Sequence, residues 1–173
     1  LPLSGGTLQF FDAENDHLSR SPKTSFCFQE PRLLPWATVR ENIELLGRLS
    51  GEMRVDRVET LLDWVDLKPI HQSFRPSELS GGMQMRVGMA RALYHEPELL
   101  LLDEPFAALD ELTRGVLDDV LLRLVKARSM SALMVTHSVS EALYLADEIW
   151  VFTAHPGRLL QVYRPPFEDR TSE

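Results

Sequence analysis

Apolar and polar positions alternate along this chain in two rhythms, one of period two and one near 3.6. Short β-prone runs come first, over residues 8–11 and 24–28, separated by a polar, turn-rich segment over 12–22. They predict sheet at the start of the chain. Two amphipathic stretches follow at helical spacing: Val39, Ile43, Leu46 and Leu49, then Val55, Val58, Leu61, Leu62 and Val65. These predict a small helical layer. After a loop around Arg75 and Pro76 the elements alternate, with a helix over 82–94, a strand over 98–103, a helix over 111–128 and a strand over 131–136. Such alternation predicts a parallel sheet. The later helix carries Leu112, Val116, Leu117, Val120, Leu121, Leu124 and Val125 on one stripe, as a crossover helix packed on a sheet should. A short helix over 139–146 and strands over 148–152 and 159–163 complete the pattern, and the polar tail over 165–173 is expected to fray. There is no internal repeat.

Composition narrows this picture. A chain of 173 residues with 44% hydrophobic content fits one globular domain with its own core. Its richest apolar run, 99–102, is bounded by Glu98 and Asp103, far short of the ~18 apolar residues that a spanning helix needs. The 26 acidic residues outnumber the 18 basic ones, and a net charge of -8 repels phosphate backbones, so nucleic acid is not an expected partner. The single cysteine, Cys27, has no partner for an internal disulfide and lies between Phe26 and Phe28, which suggests a small buried hydrophobe and permits a cytoplasmic location. Position 1 is Leu, and Leu1 to Gly6 resembles neither a signal peptide nor a basic targeting segment, so the sequence is expected to be truncated upstream.

Four segments carry candidate chemistry. The apolar run 99–102 ends abruptly in Asp103 and Glu104, the pattern of a strand buried on both faces. In an open parallel sheet, ligands bind beyond the carboxyl ends of the strands. Two adjacent carboxylates there suit one to hold Mg²⁺ and the other to orient or deprotonate an attacking water. A solvated acidic turn would read the same way locally. Leu79, Ser80, Gly81 and Gly82 open a helical pattern, and a helix start offers free N–H groups and positive potential to an anion. An ordinary Ser cap explains them equally. His137 follows the apolar strand at its polar end, suited to hydrogen-bond a phosphate or position water, or simply to cap it. Gln29 follows Phe28 in the same manner, and its amide can ligate Mg²⁺ or orient water. Three of the four lie at strand ends, in a fixed order.

In that order these residues resemble the nucleotide-binding subunit of ABC transporters. Gln29 matches the Q-loop, Leu79 to Gly82 the signature motif, Leu100 to Glu104 the Walker B strand, Ala107 to Asp110 the D-loop and His137 the switch histidine. The segments 30–36, 82–83, 103–110 and 136–142 are similar to importers of nitrate, sulfonate, taurine and pyrimidine precursors, aliphatic sulfonate first among them. The resemblance implies an α/β, P-loop NTPase-like fold: a mostly parallel sheet with flanking helices, and a small helical subdomain over about residues 33–94 inserted in the RecA-like core. It implies a head-to-tail pair of ATPase subunits with ATP and Mg²⁺ between them. Glu104 would polarise the attacking water, His137 contact the γ-phosphate, and Asp103 and Gln29 attend Mg²⁺. Ser80, Gly81 and Gly82 would touch the γ-phosphate of the partner's ATP, and Asp110 would communicate across the pair. The helical layer would receive a cytoplasmic loop of a membrane permease on the inner face of the membrane, with Pro31, Leu33, Leu34, Pro35 and Trp36 as candidate contacts and a solute-binding protein engaged indirectly. Trp36 packed inside the domain is the other reading of that residue.

The sequence departs from the family in places. No Gly-x-x-x-x-Gly-Lys-Ser/Thr loop occurs in it, nor the aromatic that stacks on adenine, and residues 1–10 resemble the stretch that follows that loop. The fragment alone is therefore expected to be inactive. Ala107 stands where many relatives have Ser, and Met83, Gln84 and Met85 follow the glycines. Two rival readings are a soluble ABC ATPase without a membrane partner and a regulatory subunit that no longer hydrolyses ATP.

Overall fold

The computed structural model describes residues 5–11, 16–54 and 56–166. Its centre is a three-stranded parallel sheet of β1 (Thr24–Cys27), β2 (Leu99–Asp103) and β3 (Ser131–Val135), in the order β1-β2-β3. Cys27 pairs with Leu102, and Asp103 with Val135, so all three strands deliver their next residues to one edge. The second sheet is an antiparallel hairpin of β4 (Ile149–Phe152) and β5 (Leu159–Tyr163). The parallel arrangement predicted from the alternating pattern is what forms.

Among the described residues five α-helices accompany the strands: α1 (Val39–Ser50), α2 (Arg57–Trp64), α3 (Gly81–Ala92), α4 (Glu111–Arg128) and α5 (Val139–Leu145). Local chemistry sets their limits. Thr38 and Glu41 cap α1 reciprocally, with Glu41 N donating to Thr38 Oγ1 at 3.2 Å and Thr38 N to Glu41 Oε2 at 2.8 Å. Gly51 ends α1 with φ of 75°, a conformation that costs glycine little. Val39, Ile43, Val58, Leu61, Leu62 and Val65 are buried and Leu46 is half-buried, as the spacing predicts, but Leu49 in the last turn of α1 is 76% exposed, so the stripe on that helix stops short of its end. Val55 lies outside the described residues, as does the tail from residue 167 onward. Helix α3 ties the layers together, packing on α1 and α2 on one side and on β1 and α4 on the other.

Two further expectations fail. Residues 8–11 form no strand: Phe11 makes a single antiparallel bridge to His17, and Leu8 is 67% exposed. Their β propensity has no strand to pair with among the described residues. The stripe expected on α4 is also rotated. Leu117, Val120, Leu121 and Leu124 are buried, but Leu112 is 85% and Val116 47% exposed. At 100° per residue Leu112 sits about 180° around the helix from Leu121. The buried face is centred on Leu121 and takes in Asp118 and Leu122 instead.

Candidate functional site

The site begins with a backbone irregularity. A residue before proline is normally pushed to an extended conformation, yet Glu104, which precedes Pro105, has φ of 44°. Its amide donates to Val135 O at 2.8 Å, extending the β2–β3 ladder by one step beyond the strands, and Ala107 N closes a turn on Glu104 O at 3.2 Å. The chain is thereby forced to reverse at the carboxylate. A left-handed conformation away from glycine costs on the order of 1 kcal/mol or more and survives only where surrounding contacts over-determine it. Pro105 and Phe106 behind it are buried and supply that constraint.

The reversal aims Glu104 at the end of β3. Glu104 Oε2 lies 3.2 Å from His137 Nδ1, with the Glu104 side chain 32% and the His137 side chain 71% exposed. The histidine is placed by its neighbours: Ser138 N donates to Thr136 Oγ1 at 3.0 Å, and Ser138 caps α5 by accepting from Glu141 N at 3.3 Å. Asp103 is exposed beside Glu104, and Gln29 is exposed just past β1 at the same edge. The structure thus brings four predicted residues, Gln29, Asp103, Glu104 and His137, to one sheet edge, and links two of them directly.

The remaining predicted residues sit elsewhere. Ser80 caps α3, accepting from Met83 N at 3.3 Å. No hydrogen bond or ion pair joins residues 80–82 to Glu104 or His137 among the described residues. Gly82 is buried against α4, where an added Cβ would come within 2.6 Å of Thr113 Cγ2, and a Cβ on Gly81 would lie 3.8 Å from Leu109 Cδ2. Asp110 caps α4, accepting from Thr113 N at 3.0 Å, and that bond holds its carboxyl below the usual range. Residues 81 and 82 therefore lie against Leu109 and Thr113, at the end of the loop that leaves the carboxylates and the start of α4.

Sequence reasoning overlooked the residues that hold these groups in place. The pattern Ser138-x-x-Glu141 was visible as a helix-capping signal. The left-handed Glu104 had no signal, because Pro105 argued for the opposite. Trp36 is 72% exposed, which decides against its packing inside the domain. Among the described residues no three His, Cys, Asp or Glu side chains are grouped to hold a metal unaided, and no helix is long and apolar enough to cross a membrane.

Comparison with known proteins bears on this arrangement. The ABC transporter family profile matches residues 3–107. The aliphatic sulfonates import ATP-binding protein SsuB of Bacillus licheniformis is 47% identical over 150 residues, covering 85% of this chain and 58% of its own length. Its Bacillus subtilis counterpart is 46% identical over 134 residues, covering 78% of this chain and 52% of its own. This chain thus spans between half and two thirds of the length of those relatives. Among solved structures, a dimer of the ATP-binding cassette MJ0796 in a post-hydrolysis state with ADP and Pi superposes with a TM-score of 0.70 at 29% identity, over 84% of this chain and 64% of that one. The cbiO1 subunit from Clostridium perfringens, part of the ABC transporter complex cbiONQ, superposes with a TM-score of 0.74 at 25% identity, over 83% and 57%. The α/β, P-loop NTPase-like fold expected from the resemblance is the one these neighbours share. With the carboxylate and histidine at one sheet edge and the signature segment on its own helix, the chain belongs to the ABC transporter family.

Proposed function

We propose that this chain is part of the ATP-hydrolysing subunit of an importer for a small solute, with aliphatic sulfonates as the solute class. The observation that carries the proposal is the contact of Glu104 with His137, 3.2 Å apart at the edge where Asp103 and Gln29 also emerge. A carboxylate held beside an imidazole can orient a water and accept its proton while the imidazole reaches a phosphate oxygen. The solute class rests on the named function of the SsuB relatives alone.

Asp103 and Gln29 offer a carboxylate and an amide oxygen, the hard donors that Mg²⁺ takes, and Mg²⁺ commonly completes its shell with water and substrate phosphates. That chemistry fits a site with too few protein ligands to hold an ion alone. Bound there, the ion would neutralise charge on the phosphates. Residues 80–82, which lie apart from Glu104 within one chain, suit a second subunit's ATP, and Asp110 and the loop before it suit communication between the two. Exposed Trp36 next to Pro35 is the candidate contact for a permease loop, and a protein docked in that way would sit on the inner face of the membrane. The excess of acidic residues supports a partner other than nucleic acid.

The test uses protein expressed from its complete reading frame, assayed for Mg-ATP hydrolysis with Glu104→Gln alongside. Loss of a proton acceptor lowers turnover about a hundredfold or more. Turnover that survives the substitution within twofold sinks the assignment of Glu104. A protein inert with and without its permease favours a regulatory role. Sulfonate-dependent growth of a strain deleted for the reading frame checks the solute class.

A further inference from the structure

The turn that carries Gln29 is fastened from outside its own strand. Strand β1 ends at Cys27, and the chain then runs through Phe28 to Leu34 before reaching α1. Arg91, in the last turn of α3, spans that turn. Its Nη2 donates to Pro31 O at 2.6 Å and its Nη1 to Arg32 O at 3.0 Å. One planar guanidinium therefore holds two consecutive carbonyls, an arrangement that an ammonium cannot reproduce. A turn earlier on α3, Gly88 lets the same backbone approach: an added Cβ would stand 3.3 Å from Pro31 Cβ and 3.5 Å from Pro31 Cα.

The clamped segment is itself conformationally set. Arg32 has φ of 44°, and its guanidinium lies 4.7 Å from the centroid of the Phe28 ring, which stacks on Phe26 at 5.8 Å. Downstream, buried Asn42 holds Leu34 at both ends, accepting from its amide at 2.7 Å and donating to its carbonyl at 3.2 Å. Gln29 thus sits between strand β1 and a segment pinned at residues 31, 32 and 34. The pins at 31 and 32 belong to α3, whose other end starts with Ser80, Gly81 and Gly82.

We infer that Arg91 is a positioning residue that couples Gln29 to the start of α3, so that any shift of the Ser80–Gly82 end carries Gln29 with it. This rests on the reading that Gln29 serves an ATP site. The Arg91 guanidinium bonds the backbone of the turn and not the side chains of Gln29, Asp103, Glu104 or His137. Its role is to convert occupancy at one end of α3 into the placement of an amide at the sheet edge, and a misplaced amide there lowers the rate of the chemical step more than the binding of ATP.

The experiment compares wild type, Arg91→Met, Arg91→Lys and Gly88→Ala, all in protein from the complete reading frame, by steady-state ATP hydrolysis and amide hydrogen exchange over residues 28–34. Arg91→Met is expected to lower kcat at least about tenfold with KM for ATP within about twofold, and to speed exchange at residues 29–34 while unfolding stays cooperative. Arg91→Lys, which keeps one of the two bonds, is expected to fall between. Gly88→Ala displaces Pro31 while leaving Arg91 in place, and is expected to give the same kinetic signature, which keeps the inference testable if Arg91→Met fails to fold. A kcat equal to wild type in the variants, or exchange over 29–34 that does not change, overturns the inference. Loss of kcat and rise of KM in step with lowered melting temperature assigns Arg91 to general stability and overturns it as well. An inert wild-type protein is a different result, since it sinks the proposed ATPase activity before any variant is compared.

Discussion

Asp118 offers a measurable pH dependence. It lies on α4 at 7% exposure facing Glu141 of α5 at 4%, and its Oδ1 has no hydrogen-bond partner. Burial first, then the charge of Glu141, push its carboxyl up from 3.8 to about 7, with Arg114 opposing and Asp119 adding to the push. The sign follows from proton counting. Below pH ~4 the folded and unfolded chains are both protonated at this residue. Between there and about 7 the unfolded chain loses the proton while the folded chain keeps it, so stability falls as pH rises and levels off above about 7. Three units at about 1.4 kcal/mol each set a ceiling near ~4 kcal/mol. Relaxation around a buried charge reduces this to about 2 kcal/mol. Asp118→Asn has the same shape, no charge and an amide that can donate to Glu141. Urea unfolding of both proteins at several pH values isolates Asp118 together with the charges it faces, because titrating groups away from that cluster cancel in the difference. The variant should gain about 2 kcal/mol over wild type at pH ~8 and nothing near pH ~4. A gap that stays constant with pH, or one that grows toward low pH, refutes the reasoning.

Three further outcomes are expected. In Gly47→Ala, the new Cβ would stand 2.5 Å from Cε1 of the fully buried Tyr94, and overpacking of this kind costs about 1–3 kcal/mol, visible as a lowered melting temperature; an unchanged melt would show that Tyr94 yields freely. In Gly82→Ala the clash is with Thr113 Cγ2 at 2.6 Å, so Thr113→Ser, which deletes that methyl, should restore most of the lost stability, and simple additivity of the two substitutions would count against the contact. The Arg20 guanidinium, bound to Glu98 at 2.6 and 2.7 Å, together with the Lys23 amide holds the Glu98 carboxyl at about 2. This contribution is present above the ordinary carboxylate range and is lost as pH falls toward about 2, which carbon-detected NMR titration should show and Arg20→Gln should abolish most of.

The α/β alternation was legible in the residues because hydrophobic period and strand-end polarity are local properties. The apolar run 99–102 forms β2 and its two carboxylates emerge at the ligand edge, and Gln29 and His137 reach the same edge because parallel strands all point one way. Burial along α1 and α2 followed their periodicity for the same reason, except at Leu49, where α1 runs out beyond the layer it packs on. The capping of α3 by Ser80, and of α4 by Asp110, also lay within three residues of sequence.

What depended on neighbours distant in sequence could not be read from period or propensity. Residues 8–11 have the composition of a strand, but a strand needs a pairing partner, and composition does not supply one. The stripe on α4 was misaligned because Leu112 is apolar yet faces away from the layer that buries Asp118 and Leu122. Local rules argue against φ of 44° at Glu104 ahead of a proline; the bond from its amide to Val135 O, across strands 31 positions apart, enforces it. The grip of Arg91 on Pro31 and Arg32 spans 59 and 60 positions. The residues by themselves determined which side chains arrive at the sheet edge, since direction along a strand is a local matter. Only the tertiary structure decided how they are aimed and what holds them, because those are set by contacts that exist only once the layers have packed.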